Sequence, residues 1–131
     1  MNASTRRFPV SFDGWYAVLS TSLGLPPASA YVVVGDTEIH VRMGWAFRST
    51  FSRTAVASTY MPERRPLSRG VHGFGGRWLV NGSGHGVLGI RLSPPPRAHV
   101  LGVPIRLREL LVSVEDREGL AGAIRPARST D

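Results

Sequence analysis

The chain of 131 residues contains no cysteine. That single absence removes disulfides, thiol nucleophiles and cysteine-held zinc together, and it makes the cytoplasm the simpler setting. Lysine is missing too. All 16 basic residues are arginine, set against nine acidic ones, for a formal net charge of +7. A coding sequence rich in G and C would exchange lysine for arginine without any functional demand. The excess charge still attracts nucleic acid, acidic lipid or acidic protein, without specifying which. No apolar run approaches the roughly 18 residues of a membrane-spanning helix. Arg6 and Arg7 precede a partly apolar stretch, and Ala28-Ser29-Ala30 resembles a cleavage site. Asp13 interrupts that stretch, however, and Ser20, Thr21 and Ser22 dilute it, so an export signal within residues 1–30 is the disfavoured alternative.

Sets of catalytic residues are also missing. The glycine-rich stretch Gly70 to Gly89 has neither the lysine nor the following helix of a phosphate loop, and β-turns explain its glycines. His40, His72, His85 and His99 are thirteen or more residues apart, unlike the close pairs of short metal motifs. Ser83 and His85 are two apart, but Gly82-Ser83-Gly84 is not a nucleophile elbow, and a hairpin turn explains it. Glu109, Glu115, Asp116 and Glu118 gather near a C-terminal helix, where they favour its positive end. The expectation is a protein that is not an enzyme and needs no cofactor or metal.

What is present is two-residue periodicity between two short helices. With 42% hydrophobic residues, the length suits one domain, residues 1–131, with flexible ends at about 1–7 and 126–131. Phe8 to Phe12 is predicted as a short strand that Pro9 places at an edge. Asp13 is predicted to cap a helix reaching Leu23, with Trp15, Val18, Leu19 and Leu23 on its packing face. Gly24 and Pro26-Pro27 end it.

From Tyr31 the period becomes two. Tyr31 to Val34, a turn at Gly35-Asp36, Glu38 to Met43, a turn at Gly44-Trp45, and Ala46 to Phe51 read as an antiparallel meander. Ile39, Val41 and Met43 face one way; Glu38, His40 and Arg42 face the other. Thr54 to Tyr60, Arg77 to Asn81, Val87 to Leu92, Ala98 to Leu101 and Leu110 to Ser113 are the remaining strands. Met61 to Gly76 reads as a loop of about fifteen residues, long enough to be functional. Asp116 is predicted to cap a last helix with Leu120, Ala123 and Ile124 on one face.

Three segments carry a resemblance. "VVVGDTEIHVRMG" (32–44), "FRSTFSRTAVAS" (47–58) and "SVEDREGLAGAI" (113–124) resemble bacterial domains of the pleckstrin-homology-like type. "GRWLVNGSG" (76–84) is similar to small uncharacterised actinobacterial proteins. The resemblance spans about residues 31–124. It implies a mainly β (α+β) fold, a partly open antiparallel β-barrel of about seven strands, plugged at one end by the C-terminal helix. The helix at residues 13–23 is an addition to that plan. The resemblance implies no reaction. Its phosphate-binding branch keeps basic residues at the first hairpin, whereas Gly35-Asp36 and Glu38 make that hairpin acidic, so lipid-head binding is not carried over.

The candidate contact surface is the loop and the strand after it: Arg64, Arg65, Arg69, His72, Phe74, Arg77 and Trp78. The leading expectation is a non-catalytic binding module for an unknown protein partner. The alternative is nucleic-acid or anionic-surface binding through arginine-rich residues 61–77, where basic and aromatic side chains, Trp45 among them, would suit a single strand. An exposed sheet edge could also support a homo-oligomer.

Overall fold

The computed structural model describes residues 5–62, 70–83 and 85–124. The candidate contact residues Arg64, Arg65 and Arg69, and the tail from Arg125, lie outside them. The described residues form eleven strands in two sheets and two α-helices.

The first sheet holds β1 (Arg6–Pro9), β2 (Ala30–Val34), β3 (Glu38–Met43), β4 (Phe47–Ser52), β9 (Arg97–Val100) and β10 (Val103–Arg106), in the order β1-β2-β3-β4-β9-β10. Every pairing in it is antiparallel. Alternation explains its inner face: Ile39, Val41, Met43, Phe47 and Phe51 are all buried, while Arg42 and Arg48 between them are exposed. Pro9 lies in the edge strand β1, as its missing N–H requires. Arg6 and Arg7, expected in a flexible end, are paired with Val34 and Val33, and the Arg7 guanidinium lies 4.0 Å over the Tyr31 ring. The β2–β3 turn is centred one residue later than expected, since Gly35 N–H donates to the Glu38 carbonyl at 2.9 Å.

The second sheet holds β5 (Val56–Tyr60), β6 (Gly70–Phe74), β7 (Arg77–Asn81), β8 (Val87–Leu92) and β11 (Glu109–Ser113), in the order β5-β8-β11-β7-β6. Two expectations are corrected here. Part of the presumed loop 61–76 is strand β6, an antiparallel partner of β7. The Gly82–Gly84 segment is not a hairpin turn, because β7 and β8 do not pair. β11 lies between them, antiparallel to β8 and parallel to β7. Its Leu110 and Val112 are buried on one face and its Leu111 and Ser113 on the other, as befits a strand at the sheet centre. The connection from β7 to β8 passes close beneath β11: at Gly86 (φ 70°) a Cβ would sit 2.3 Å from the Val114 carbonyl oxygen.

The strand count exceeds the expected seven partly because residues 97–106 form a hairpin, β9–β10, in place of one strand. Its turn is Leu101-Gly102, with φ of 51° and 82°. Both central residues are left-handed, the geometry that Asn-Gly ordinarily supplies. Leu101 is 62% exposed.

Helix α1 (Gly14–Ser22) follows residues 10–13, which leave the first sheet and bridge to the second. Val10 pairs with Val114 and Phe12 with Gly82. This path decides which helical residues are buried, and Val18 and Leu23 of the expected face are not among them; the side chains of Trp15 and Leu19 lie outside the described part. Tyr16 and Ser20 are buried, whereas Val18 and Leu23 are 70% and 57% exposed. The Tyr16 ring stacks on Phe12, with centroids 5.9 Å apart, and the Ser20 hydroxyl donates to the Leu25 carbonyl. Helix α2 (Arg117–Ile124) matches its expectation. Asp116 Oδ1 accepts from the Gly119 N–H at 2.9 Å, and Leu120 and Ile124 are fully buried. Arg53 fixes its far end by donating to the Ala123 carbonyl at 2.6 Å and to the Gly35 carbonyl at 3.0 Å. Among the described residues no helix is long and apolar enough to cross a membrane.

Two stability measurements follow. Leu110→Ala should lower unfolding free energy by about 3 kcal/mol in urea titration, whereas Val18→Ser should change it by no more than about 0.5 kcal/mol. Leu101→Asn should raise it by about 0.5–1 kcal/mol, because asparagine tolerates the left-handed turn better.

Candidate functional site

The two sheets are joined on one side by the bridges from residues 10–13. Among the described residues no backbone ladder joins β10 of the first sheet to β6 of the second, and both stand at sheet edges. Between β10 and the turn that follows β6 lies a groove of about 450 Å³, lined by Gly75, Gly76, Trp78, Pro95, Ile105, Arg106 and Arg108. Its floor is apolar because Trp78 and Ile105 point inward and pack on the core. Its rim is cationic because Arg106 and Arg108 are exposed.

Local structure fixes this lining. The β6–β7 turn, Gly75-Gly76, has φ of 63° and 87°. The Gly76 carbonyl accepts from the N–H groups of Arg108 (2.8 Å) and Glu109 (3.1 Å), and Arg108 Nε donates to the Gly75 carbonyl at 3.0 Å. Gly73 lies opposite Trp78, and a Cβ there would come within 2.1 Å of the indole. Gly73, which the sequence presents as part of a loop, is therefore what lets the tryptophan lie against β6.

Of the residues singled out in the sequence, Arg77 and Trp78 fall on opposite faces of β7. Trp78 enters the groove. Arg77 joins the outer face of the second sheet, its Nε 3.5 Å from Glu109 Oε2. Tyr60 donates its hydroxyl to the same carboxylate, and Arg91 lies 4.3 Å over the Tyr60 ring. Burial and the hydrogen bond to Glu109 push the Tyr60 phenol above its ordinary range. His72 and Phe74 belong to β6, but their side chains are outside the described part.

Ser83 is buried, and its hydroxyl is committed. It donates to Asp13 Oδ1 at 3.1 Å and accepts from the His85 backbone N–H at 3.0 Å. These bonds pin the start of α1 to the end of β7, and they engage the main chain of His85 rather than its ring. Among the described residues no group of three His, Cys, Asp or Glu side chains could hold a metal ion.

A second surface went unread in the sequence. On the outer face of the first sheet the register aligns Tyr31, Arg42, Arg48 and His99 on four successive strands. Arg42 and Arg48 can be recognised as partners only once the turn is known to take residues 44–46. His99 joins them through a strand fifty residues on. His40 sits beside this row, its Nδ1 2.6 Å from Thr50 Oγ1. Burial first, then the positive charges of Arg42 and Arg48, hold its pKa below the ordinary 6.5.

No protein-family model, no curated protein and no solved structure matches this chain.

The His40 shift has a measurable sign. The unfolded chain takes up this proton first as pH falls below 6.5, so stability is held above that value and declines towards the lower folded pKa. His40→Gln should therefore show a smaller loss of urea midpoint between pH 7.5 and pH 5.5 than the unchanged protein.

Proposed function

We propose that the chain is a non-catalytic protein-interaction module of pleckstrin-homology-like type, acting in the cytoplasm, whose partner enters the groove above Trp78. The observation that carries this reading is the groove's lining, an apolar floor of Trp78, Ile105 and Pro95 beneath a rim of Arg106 and Arg108. A large aromatic at the base of a partly desolvated pocket, ringed by charge, is the usual anatomy of a binding hot spot.

The barrel part of the reading draws support from the corners at which the chain passes between sheets. β4 passes into β5 through the 3-10 turn Arg53–Ala55, β8 into β9 through residues 93–96, and β10 into β11 through Leu107 and Arg108. With α2 docked through Leu120 and Ile124, these corners support the reading of a partly open barrel plugged by its last helix. On this reading the opening falls on the side of β10 and the β6–β7 turn, where the groove is. The lining matches a segment that offers an apolar anchor flanked by carboxylates. An extended segment would also find backbone donors and acceptors along either edge strand.

A photo-crosslinking residue in place of Arg106 tests the reading, with the same residue at Thr37 as a control. The expected outcome is a discrete protein adduct from position 106 and none from position 37. Arg106→Glu with Arg108→Glu should then weaken binding of the purified partner at least tenfold, about 1.4 kcal/mol. Equal capture at both positions, or unchanged affinity of the double variant, rejects the groove. An adduct with a second copy of the chain reassigns it to self-association.

A further inference from the structure

The outer face of the first sheet presents a charge arrangement that folding does not favour. Arg42 and Arg48 are directly opposite each other in the β3–β4 ladder, and Arg48 is directly opposite His99. Like charges facing across a ladder repel. Among the described residues no carboxylate lies within ion-pair distance of either arginine; Arg42 Nε donates only to the Gly44 carbonyl, at 3.1 Å.

The same side chains bound two adjoining depressions. One, of about 230 Å³, is lined by Arg42, Arg48, His99 and Trp45; the other, of about 330 Å³, is lined by His40, Arg48, Arg97 and His99. Arg48 and His99 line both, so the depressions form one channel across β3, β4 and β9. With strands about 4.8 Å apart, the row Arg42, Arg48, His99 spans roughly 10 Å. At one end stands Trp45, which is 58% exposed. A tryptophan that the core does not use, at the mouth of a cationic channel, offers its ring face for stacking.

We propose that this channel binds a single-stranded nucleic acid, with successive phosphates along Arg42, Arg48 and Arg97 and an unpaired base stacked on Trp45. Guanidinium groups match phosphate oxygens in pairs, and a bound phosphate turns the repulsion between Arg42 and Arg48 into shared attraction. A row of cations fits a repeating anion better than a single charged group. The aromatic ring selects a strand whose bases are free to stack, as on other single-strand platforms. Arg97 lies directly opposite Arg106 of the groove rim, so the two surfaces adjoin there. Arg42, Arg48 and Trp45 do not line the Trp78 groove, so variants at these three positions test this proposal by itself.

The test uses the full chain with fluorescently labelled 12-residue oligothymidylate and oligouridylate, followed by anisotropy at 50–300 mM salt. Affinity for one or both should fall steeply with salt, because phosphate binding releases counterions. Arg42→Gln with Arg48→Gln should lower affinity at 50 mM at least tenfold. It should also flatten the log–log salt slope by about 1 to 1.5, since each phosphate left without its arginine removes roughly 0.7 from that slope. Both side chains are exposed and mutually repelling, so the melting temperature of this variant should be unchanged or higher. Trp45→Leu should lower affinity about fivefold or more while leaving the salt slope in place. The proposal is overturned by absent binding at 50 mM, by unchanged affinity of either variant, by tighter binding of the same sequence as a duplex, or by equal competition from polyglutamate of matched charge.

Discussion

Strand β11 is the member on which the rest of the structure depends. Among the described residues it supplies the only ladders that connect β7 to β8 within the second sheet, pairing with one in parallel and the other in antiparallel sense. Without it that sheet separates into two pairs, β6–β7 and β5–β8, and two-stranded pairs are marginal in water. The N-terminal segment closes onto the same strand, through the Ser11 N–H to the Ser113 carbonyl at 3.0 Å and the bridge from Val10 to Val114. Helix α2 begins shortly beyond it. Two distant parts of the sequence thus meet on one short apolar stretch, and the second sheet assembles only when residues 109–113 arrive. Such non-local closure is the slow step expected of this topology.

This explains which parts of the fold were legible. The β2–β3–β4 meander could be read because each partner is the next segment along the chain and alternation marks its inner face. The C-terminal helix was readable from Asp116 and the spacing of Leu120 and Ile124. β11 could be recognised as a strand but not placed, since nothing in residues 77–92 signals that a third strand separates them. Helix α1 failed for a related reason. The crossing of residues 10–13 puts Phe12 under Tyr16, while Val18 and Leu23 of its apolar stripe stay in water. Of the candidate site, Trp78 was found because tryptophan in a strand next to glycines is conspicuous. Ile105, Arg106 and Arg108, which complete the groove, lie on or just after a strand whose existence depends on an unusual turn.

The two sheets treat their arginines differently. On the second, the register sets Glu109 between Arg77 and Arg91, so charges alternate across the strands, and Tyr60 adds its hydroxyl to the same carboxylate. On the first, Arg42, Arg48 and His99 follow one another without an acid between them. A uniform arginine excess arising from coding bias would not by itself sort charges in this way. One outer face is electrostatically closed on itself; the other presents an unspent field.

The Leu101-Gly102 turn bears on how the molecule can be handled. The backbone there is left-handed although leucine does not favour it, so the β9–β10 pairing imposes the turn and not the leucine. With its side chain largely in water, position 101 also owes little to the core. The tip is accordingly a place to attach a dye, an affinity tag or an inserted epitope, with the strands on either side holding their alignment.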